Sequence, residues 1–367
     1  MKIILCGGGT AGHINPAIAV AEEIKKQFKS VKILFIGREG GGENRLVTEA
    51  GLNLKTLKIQ GFKRKLTKDN LKVLAYALKA KSEAKKILSD FKPDVVLGTG
   101  GYVCWPVIKA AAELHIPTAI HESNLYPGLT TRLLSKKCNT VFVNHGETEN
   151  LLPQKANVKR VGNPLRSDFT RLNRATARAE LGLRENDILI VSLGGSIGSE
   201  RMNEVIIDVM RSHSANNPNI RHIHSAGARY YGALKDDPYA RGKNGCRIVP
   251  YINDMPRMLH ASDVVISRCG AVTLSELAEV GVAAILIPSP NVTDNHQYKN
   301  ARYLEKKEAA LLIEEKNLTK KSLISALKML ENDENGRKKQ AKNIKALSLP
   351  NSSKLLVKEL ILLKKGV

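Results

Sequence analysis

The stretch Ile3-Ile4-Leu5-Cys6-Gly7-Gly8-Gly9-Thr10-Ala11-Gly12-His13-Ile14-Asn15-Pro16 decides the fold. Lys2–Cys6 is a short apolar run of the length of a buried strand, and apolar residues at helical spacing follow Pro16. Between them, Gly7–Gly12 fits G-x-G-x-x-G, a loop that brings backbone N–H groups close to a phosphate at the positive end of a helix dipole. Taken alone, the loop supports a ligand site and a plain helix-packing turn equally. The helix is expected to begin near Asn15-Pro16, with proline in the first turn, where its missing N–H costs nothing. His13 then stands at the helix start, either as a titratable group facing a ligand or as a capping side chain. A dinucleotide site would also want an acid at the end of the second strand, and Glu39 is the residue in place.

Outward from this stretch the alternation continues. Val31–Ile36, Val95–Leu97, Thr118–Ile120 and Thr140–Val143 are further short apolar runs separated by helical patterns, the signature of a parallel sheet covered on both faces. The polar segment Ser167–Arg174 reads as a linker. A second cycle opens with Ile188–Leu193, Gly194-Gly195-Ser196-Ile197-Gly198 and a helix through Asn203–Met210, and continues with strands at Val264–Ser267 and Ala284–Ile287. The fold class is therefore α/β: two tandem Rossmann-like, doubly wound domains, with ligands at the carboxyl ends of the strands and in a cleft between. Boundaries are expected at 1–163 and 164–345, with a helix in 346–367 packing back on the first domain.

The chain has 367 residues and a net charge of +23, from 58 basic and 35 acidic side chains. Such an excess calls for a polyanionic neighbour. Aromatic residues are only 4% and no nucleic-acid module is present, which favours an anionic membrane surface over nucleic acid. No apolar run approaches the roughly 20 residues that span a bilayer. The apolar core of Met1–Gly7 is too short for a secretory signal, so a cytoplasmic protein is expected. The five cysteines are scattered, which fits reduced thiols better than disulfides or a zinc site.

Four further segments carry candidate chemistry. Gly98-Thr99-Gly100-Gly101-Tyr102 is a third close backbone approach. His121-Glu122-Ser123-Asn124 ends a strand, where either Glu122 or His13 is a candidate general base, and Glu122 is equally a candidate partner for an arginine. In Arg268–Glu276, Thr273-x-x-Glu276 is at once a capping box and a carboxylate placed to accept two ribose hydroxyls, and the two readings stand level. Asn291–Asn300 is dense in side chains that both donate and accept, which suits sugar hydroxyls and also a solvated loop. Residues 55–90 hold eleven Lys or Arg. Within them Leu71, Leu74, Ala75 and Leu78 recur at helical spacing beside Lys72, Lys79 and Lys81. That is a basic amphipathic helix for anionic lipid, or an ordinary surface helix whose leucines face the core; Phe62-Lys63-Arg64-Lys65-Leu66 just before it favours the lipid. No Asp-x-Asp pair stands at a strand end to hold Mg²⁺, so no metal is expected.

With these motifs assembled, the chain resembles the MurG family of peptidoglycan glycosyltransferases. Gly7–Pro16, Gly98–Pro106, His121–Gly128, Val161–Arg166, Gly194–Gly198, Arg268–Glu276 and Asp294–Asn300 fall in that family's order. The resemblance implies a GT-B fold and metal-independent, inverting transfer of GlcNAc from UDP-GlcNAc to the muramoyl 4-hydroxyl of undecaprenyl-diphospho-MurNAc-pentapeptide, without cofactor. It implies a peripheral protein on the cytoplasmic face of the membrane, meeting anionic lipid through residues 62–81. Carried over by motif, the donor is bordered by Thr10, Ala11, Gly12, Asn124 and Arg166, with Ser196 at the diphosphate. Ile252 meets the uracil by its backbone; Ala271, Val272, Thr273, Leu274, Ser275 and Glu276 line the nucleoside, with Glu276 on the ribose; and Gln297 binds the GlcNAc hydroxyls. His13, Tyr102 and Glu122 face the acceptor, with His13 the first choice of base and Glu122 the alternative.

The chain departs from the family pattern at Ala11, which stands for a usual glycine, at Ser123 for a glutamine, and at Ile197, Ser199 and Cys269. The rival readings are a diacylglycerol glycosyltransferase or a UDP-GlcNAc 2-epimerase on the same fold, and an NAD-dependent oxidoreductase using the first loop alone.

Overall fold

The computed structural model describes residues 1–61, 69–195 and 197–366, with backbone alone at 69–72 and 74. The chain divides into two compact units, Met1–Ser167 with Leu349–Val367, and Asp168–Ser348. The change of unit thus falls at Asp168, compared with the boundary at Pro164 expected from sequence.

In the first unit the strands are β1 (Lys2–Cys6), β2 (Lys32–Arg38), β3 (Asn53–Leu57), β4 (Val95–Gly98), β5 (Thr118–Glu122), β6 (Thr140–Val143) and β7 (Val158–Arg160). They form one parallel sheet in the order β3-β2-β1-β4-β5-β6-β7. Helices α1 (Ala11–Gln27), α2 (Glu43–Glu49), α3 (Asp69–Phe91), α4 (Cys104–Glu113) and α5 (Leu129–Leu134) connect them. Both faces are covered, which is why Ile3–Cys6 of β1, Val95–Leu97 of β4 and Val141–Val143 of β6 are continuously apolar. One face carries Ile4, Val96, Ala80, Ala84 and Ile108 and the other Ile3, Leu5, Ile18 and Val20. The C-terminal helix Ser352–Lys364 joins this second layer through Leu356, Val357 and Leu360, each fully buried. Polar ties reinforce it: Ser353 donates to Leu165 O at 3.0 Å and Lys159 pairs with Glu359 at 2.6 Å.

The second unit repeats the plan. Helices α6 (Asp168–Arg171) and α7 (Arg174–Glu180) lead into β8 (Ile188–Leu193), α8 (Glu200–Ser212), β9 (Ile220–Ser225), α9 (Ala228–Leu234), β10 (Cys246–Val249), α10 (Met255–Ala261), β11 (Val264–Ser267), α11 (Ala271–Val280), β12 (Ala283–Leu286), α12 (His296–Lys306) and β13 (Leu311–Leu312). Two more helices, Lys320–Asn332 and Glu334–Lys345, close it. The sheet is parallel throughout, in the order β10-β9-β8-β11-β12-β13.

Two sequence expectations need correction. The segment read as a linker contains α6, whose Phe169 is 2% exposed and accepts through its carbonyl from the His260 ring at 3.0 Å. One buried aromatic ring makes that polar stretch part of the second unit's core. Helix α1 begins at Ala11, not near Pro16, and Pro16 lies inside it. The sequence cue was the proline's preference for a first turn; here the glycine loop starts the helix, and Pro16 simply offers no N–H to the Gly12 carbonyl.

Candidate active site

In each sheet the strand order reverses direction once, between β1 and β4 and between β8 and β11. Loops leaving two such strands diverge to opposite faces and open a crevice at their carboxyl ends. The glycine-rich segments stand at these points: Gly7–Thr10 after β1, Thr99–Gly101 after β4, Gly194–Gly198 after β8 and Arg268–Gly270 after β11.

In the first unit the two loops interlock. Gly8 N–H donates to Gly100 O at 3.2 Å, and a Cβ on Gly101, whose φ is +83°, would strike Gly8 O. The Thr99 hydroxyl donates to His13 O at 2.6 Å, with Cys6 O at 3.2 Å. His13 is the third residue of α1, half-buried, with its ring against Gly100 where any side chain would collide. Tyr102 lies over Gly9 and Gly61. The first glycine loop, His13 and Tyr102 therefore share one end of this sheet, and Thr10 is the N-cap residue between them, followed by Ala11 and Gly12 in the first turn of α1.

The acid that matters to this loop is Glu43, which the sequence reading passed over in favour of the exposed Glu39. Glu43 is fully buried, and one carboxylate oxygen accepts from Gly9 N–H and Arg38 N–H, both at 3.2 Å. Gly8 and Gly41 are glycine because a Cβ on either would run into this carboxylate. A dinucleotide diphosphate would have to take the Gly8 and Gly9 amides from their present acceptors, Gly100 O and the Glu43 side chain. The oxidoreductase reading fails on that geometry.

Glu122 ends β5, 5% exposed. One oxygen accepts the main-chain and side-chain N–H of Asn124, each at 3.0 Å; the other accepts Gly128 N–H at 2.9 Å and the Thr131 hydroxyl at 2.6 Å. Four donors occupy the four lone-pair directions of a carboxylate. Glu122 is thus the organiser of the loop between β5 and α5, and to act as the base it would first have to give up one of these donors, which favours His13. It also holds Asn124 in place. His121 beside it is buried, its Nε2 at 2.8 Å from Gly162 O, and burial lowers its pKa to about 4.

In the second unit, the N-cap of α11 is Gly270, without a side-chain cap bond. Ala271 is the first helical residue, so Thr273 and Glu276 are the third and sixth and make no capping box at this helix start. Val272 and Leu274 are buried, at 7% and 6%; Ala271, Thr273, Ser275 and Glu276 are half-buried. Gln297, the second residue of α12, accepts through Oε1 from Cys269 N–H at 3.2 Å and Ser289 N–H at 2.9 Å. One amide oxygen thus ties the ends of β11 and β12 together, which leaves the amide N–H groups of Gln297 as its donors.

Arg268, named in the sequence only as part of a motif, is the hub of this end of the sheet. Its guanidinium donates to Ile287 O at 3.2 Å and to the Ser199 hydroxyl at 2.6 Å, and pairs with Glu315. Ser199 is the N-cap of α8 and also accepts from Met202 N–H at 3.5 Å. The arginine thereby couples the second glycine loop to β11. Ile252 is buried at 5% in the turn between β10 and α10, beside the exposed Tyr251. Arg166 is half-buried after β7, in the first unit. Ser196 lies outside the described residues.

The basic helix is α3. Its buried face is Val73, Ala77, Ala80, Ala84 and Leu88, while Leu78 is 51% exposed, next to exposed Lys79. Lys81 is not a free surface cation: with Lys85 it pairs to Glu113, at 2.9 and 2.6 Å, and the two ammonium groups hold that carboxyl well below the usual range. The segment 62–68 and the side chains of Leu71, Lys72 and Leu74 lie outside the described residues.

Comparison with known proteins bears on both units. Residues 3–143 match the glycosyltransferase family 28 N-terminal domain and residues 189–356 its C-terminal domain. The UDP-N-acetylglucosamine–N-acetylmuramyl-(pentapeptide) pyrophosphoryl-undecaprenol N-acetylglucosamine transferase of Acetivibrio thermocellus is 44% identical over 310 residues, 84% of each chain. The crystal structure of Acinetobacter baumannii MurG superposes with a TM-score of 0.75 at 26% identity, covering 98% of this chain and 99% of that one. UDP-GlcNAc 2-epimerase from Neisseria meningitidis superposes at 0.69 over 98% and 100%, but at 15% identity, a likeness of fold alone. Two parallel, doubly wound sheets with this match constitute the GT-B fold.

Proposed function

The chain belongs to the family of UDP-N-acetylglucosamine–N-acetylmuramyl-(pentapeptide) pyrophosphoryl-undecaprenol N-acetylglucosamine transferases, and from that premise we propose how its residues move GlcNAc from UDP-GlcNAc onto the undecaprenyl-linked muramyl-pentapeptide, converting lipid I to lipid II in peptidoglycan synthesis. The observation that carries the activity is identity of 44% to such a transferase across 84% of both chains. The first unit takes the acceptor and the second the donor nucleotide.

The muramyl 4-hydroxyl attacks the anomeric carbon of α-linked GlcNAc. The new C–O bond forms as the bond to the UDP oxygen breaks, the hydroxyl proton passes to His13, and UDP departs as the anion, leaving a β-1,4 linkage. His13 suits this because its main chain is clamped by Thr99 and its ring by Gly100, so little reorganisation is needed to present it. The leaving diphosphate is held by N–H groups at Gly198-Ser199 and the start of α8, with the Arg268 guanidinium nearby, and needs no metal. Glu276 accepts the ribose hydroxyls. Its rival role as a cap is excluded by the position of Gly270, which is the observation that favours the nucleoside reading. The exposed face of α3 around Leu78 and Lys79 meets anionic lipid at the cytoplasmic side, where an undecaprenyl-anchored acceptor presents its sugar. Among the described residues no helix is long and apolar enough to cross a membrane.

The test is UDP release from UDP-GlcNAc in excess EDTA, with lipid-linked muramyl-pentapeptide or diacylglycerol as acceptor. Turnover with the muramyl lipid alone, undiminished by EDTA, is expected. Turnover with diacylglycerol would overturn the acceptor, and activity lost to EDTA and restored by Mg²⁺ would overturn the metal-free leaving group.

A further inference from the structure

A continuous polar chain runs through the core of the second unit. Ser214, His222, Ser192, His224 and Asn203 are each at most 4% exposed. Their atoms meet in sequence: Ser214 Oγ to His222 Nδ1 at 3.0 Å, His222 Nε2 to Ser192 Oγ at 2.9 Å, Ser192 Oγ to His224 Nδ1 at 2.9 Å, and His224 Nε2 to Asn203 Oδ1 at 3.0 Å. The chain ends where the Asn203 amide donates to Ala226 O at 3.0 Å.

That last acceptor sets the direction of every bond. A carbonyl can only accept, so Asn203 turns its N–H₂ to Ala226 and its oxygen to His224. In its neutral form His224 then donates from Nε2 and accepts at Nδ1 from Ser192, whose one hydroxyl hydrogen is thereby used, and that Nδ1, carrying no hydrogen, makes no bond to the Ser192 carbonyl 3.3 Å away. Ser192 accepts from His222 Nε2–H, and His222 Nδ1 accepts from Ser214. One set of neutral tautomers satisfies all five groups. Burial agrees with neutrality, holding His222 at about 3 and His224 at about 4.

The end of the chain lies beneath the second glycine loop. Gly198 has a φ of +84°, and a Cβ on it would strike Ala226 O; a Cβ on Gly227, φ +85°, would strike the Gly198 backbone. The Ala226–Gly227 turn is therefore the floor on which the loop rests. Asn203 belongs to α8 itself, its own N–H bonded to Ser199 O at 2.9 Å. Valine or isoleucine at 222 and 224 would fill a parallel strand at lower desolvation cost, and stability alone does not call for a directed polar chain ending at this carbonyl.

We propose that Asn203 and His224 are positioning residues for the transfer reaction: they fix the Ala226 carbonyl, and with it the Gly198-Ser199 end of the second glycine loop, in the conformation that receives the donor diphosphate. The proposal rests on the reading of that loop as the diphosphate site. In it, the loop's geometry is set from below by His224 through Asn203, while Ser214 and His222 at the far end of the chain serve the stability of the unit.

The experiment compares donor KM, acceptor KM and Tm for Asn203→Leu, Asn203→Asp, Ser214→Ala and Gly198→Ala. Asn203→Leu should raise the KM for UDP-GlcNAc about ten-fold, the loss expected from one buried hydrogen bond left unmade, and leave acceptor KM within about two-fold. Ser214→Ala loses a bond of the same kind at the far end, and should lower Tm with donor KM unchanged. Asn203→Asp turns a carboxylate oxygen on Ala226 O; its donor KM should be high at neutral pH and fall as acidification protonates the carboxyl and restores a donor. This near-isosteric variant decides the matter should Asn203→Leu not fold. Equal shifts in donor and acceptor KM, or Tm losses with no kinetic effect, would overturn the proposal. Gly198→Ala displaces the loop directly. A raised donor KM there with silent Asn203 variants refutes the positioning role alone, whereas an unchanged donor KM in Gly198→Ala refutes the diphosphate reading as well.

Discussion

The Thr131 hydroxyl donates to the Glu122 carboxylate at 2.6 Å, drawing the first turn of α5 onto the end of β5. Three more donors, two from Asn124 and one from Gly128, complete the same carboxylate. Glu122→Gln keeps the volume but replaces one accepting oxygen by an amide that faces N–H or O–H donors. It should cost about 1–3 kcal/mol of stability, seen as a lower Tm, while the folded enzyme keeps the wild-type dependence of kcat on pH. His13→Ala should do the reverse, dropping kcat by about 10²–10⁴ with little change in Tm. A Glu122→Gln enzyme of wild-type Tm that has lost the acid limb of its pH profile would return Glu122 to the role of base.

Glu276 stands one and a half turns into α11, beyond the reach of capping. Glu276→Ala should therefore lose none of the roughly 1 kcal/mol that a cap contributes. Losing charge-assisted bonds to two ribose hydroxyls should raise donor KM by roughly 30–150-fold, on the order of 2–3 kcal/mol. Paired measurements of Tm and donor KM separate the outcomes; a large fall in Tm with donor KM intact would make Glu276 structural.

Gln297 divides its amide between two tasks. Gln297→Glu retains an oxygen for Cys269 and Ser289 but loses the donor, so Tm should hold while discrimination between UDP-GlcNAc and UDP-GalNAc shrinks. Gln297→Leu strands both backbone N–H groups and should lower Tm by about 1–3 kcal/mol equivalent as well. Unaltered donor preference in Gln297→Glu would remove Gln297 from sugar recognition.

On α3 the residues divide by partner. Lys79→Glu and Leu78→Ser should weaken co-sedimentation with anionic vesicles at low salt without loss of Tm, each lysine near the surface being worth about 1 kcal/mol. High salt should abolish the difference. Lys81→Glu should act instead on stability, placing a second carboxylate against Glu113. If Lys79→Glu binds vesicles as the parent does, α3 is an ordinary surface helix.

Stability should fall on mild acidification. Burial lowers His121, His145 and His224 from 6.5 to about 4 and His222 to about 3. Each group is neutral in the fold, and the unfolded chain binds its proton first. Their contribution is whole above pH 6.5 and is lost progressively as pH falls towards 4, with a slope approaching about 1.4 kcal/mol per pH unit for each histidine. Urea unfolding at pH 7 and pH 5 should show the loss, and His222→Gln should shrink it by about one proton's share. Equal stability at the two pH values would contradict buried neutral imidazoles.

Much of this enzyme was legible along the chain. Ile3–Pro16 and Ile188–Asn203 declare strand, glycine loop and helix because a parallel strand covered on both faces must be apolar throughout and must leave its sheet through a tight turn. Those rules act over a few residues, so two doubly wound units followed from local pattern. Strands β9 and β10 did not: His222 and His224 look like surface residues until Ser192, Ser214 and Asn203 are found around them.

Local pattern along the chain placed the loops at the switch points, at the ends of β1, β4, β8 and β11, and the residue types that gather there. What each of those groups is free to do is settled by contacts between distant parts of the chain. Gly9 and Glu43 are bonded across 34 positions of chain, and Thr99 reaches His13 across 86. The Gly270 cap displaces the one suggested by Thr273 and Glu276, and Glu122 is turned inward by four donors. A carboxylate's or an amide's chemistry depends on which partners hold its lone pairs and hydrogens. Those partners are brought by the packing of whole elements, which no spacing along the chain records.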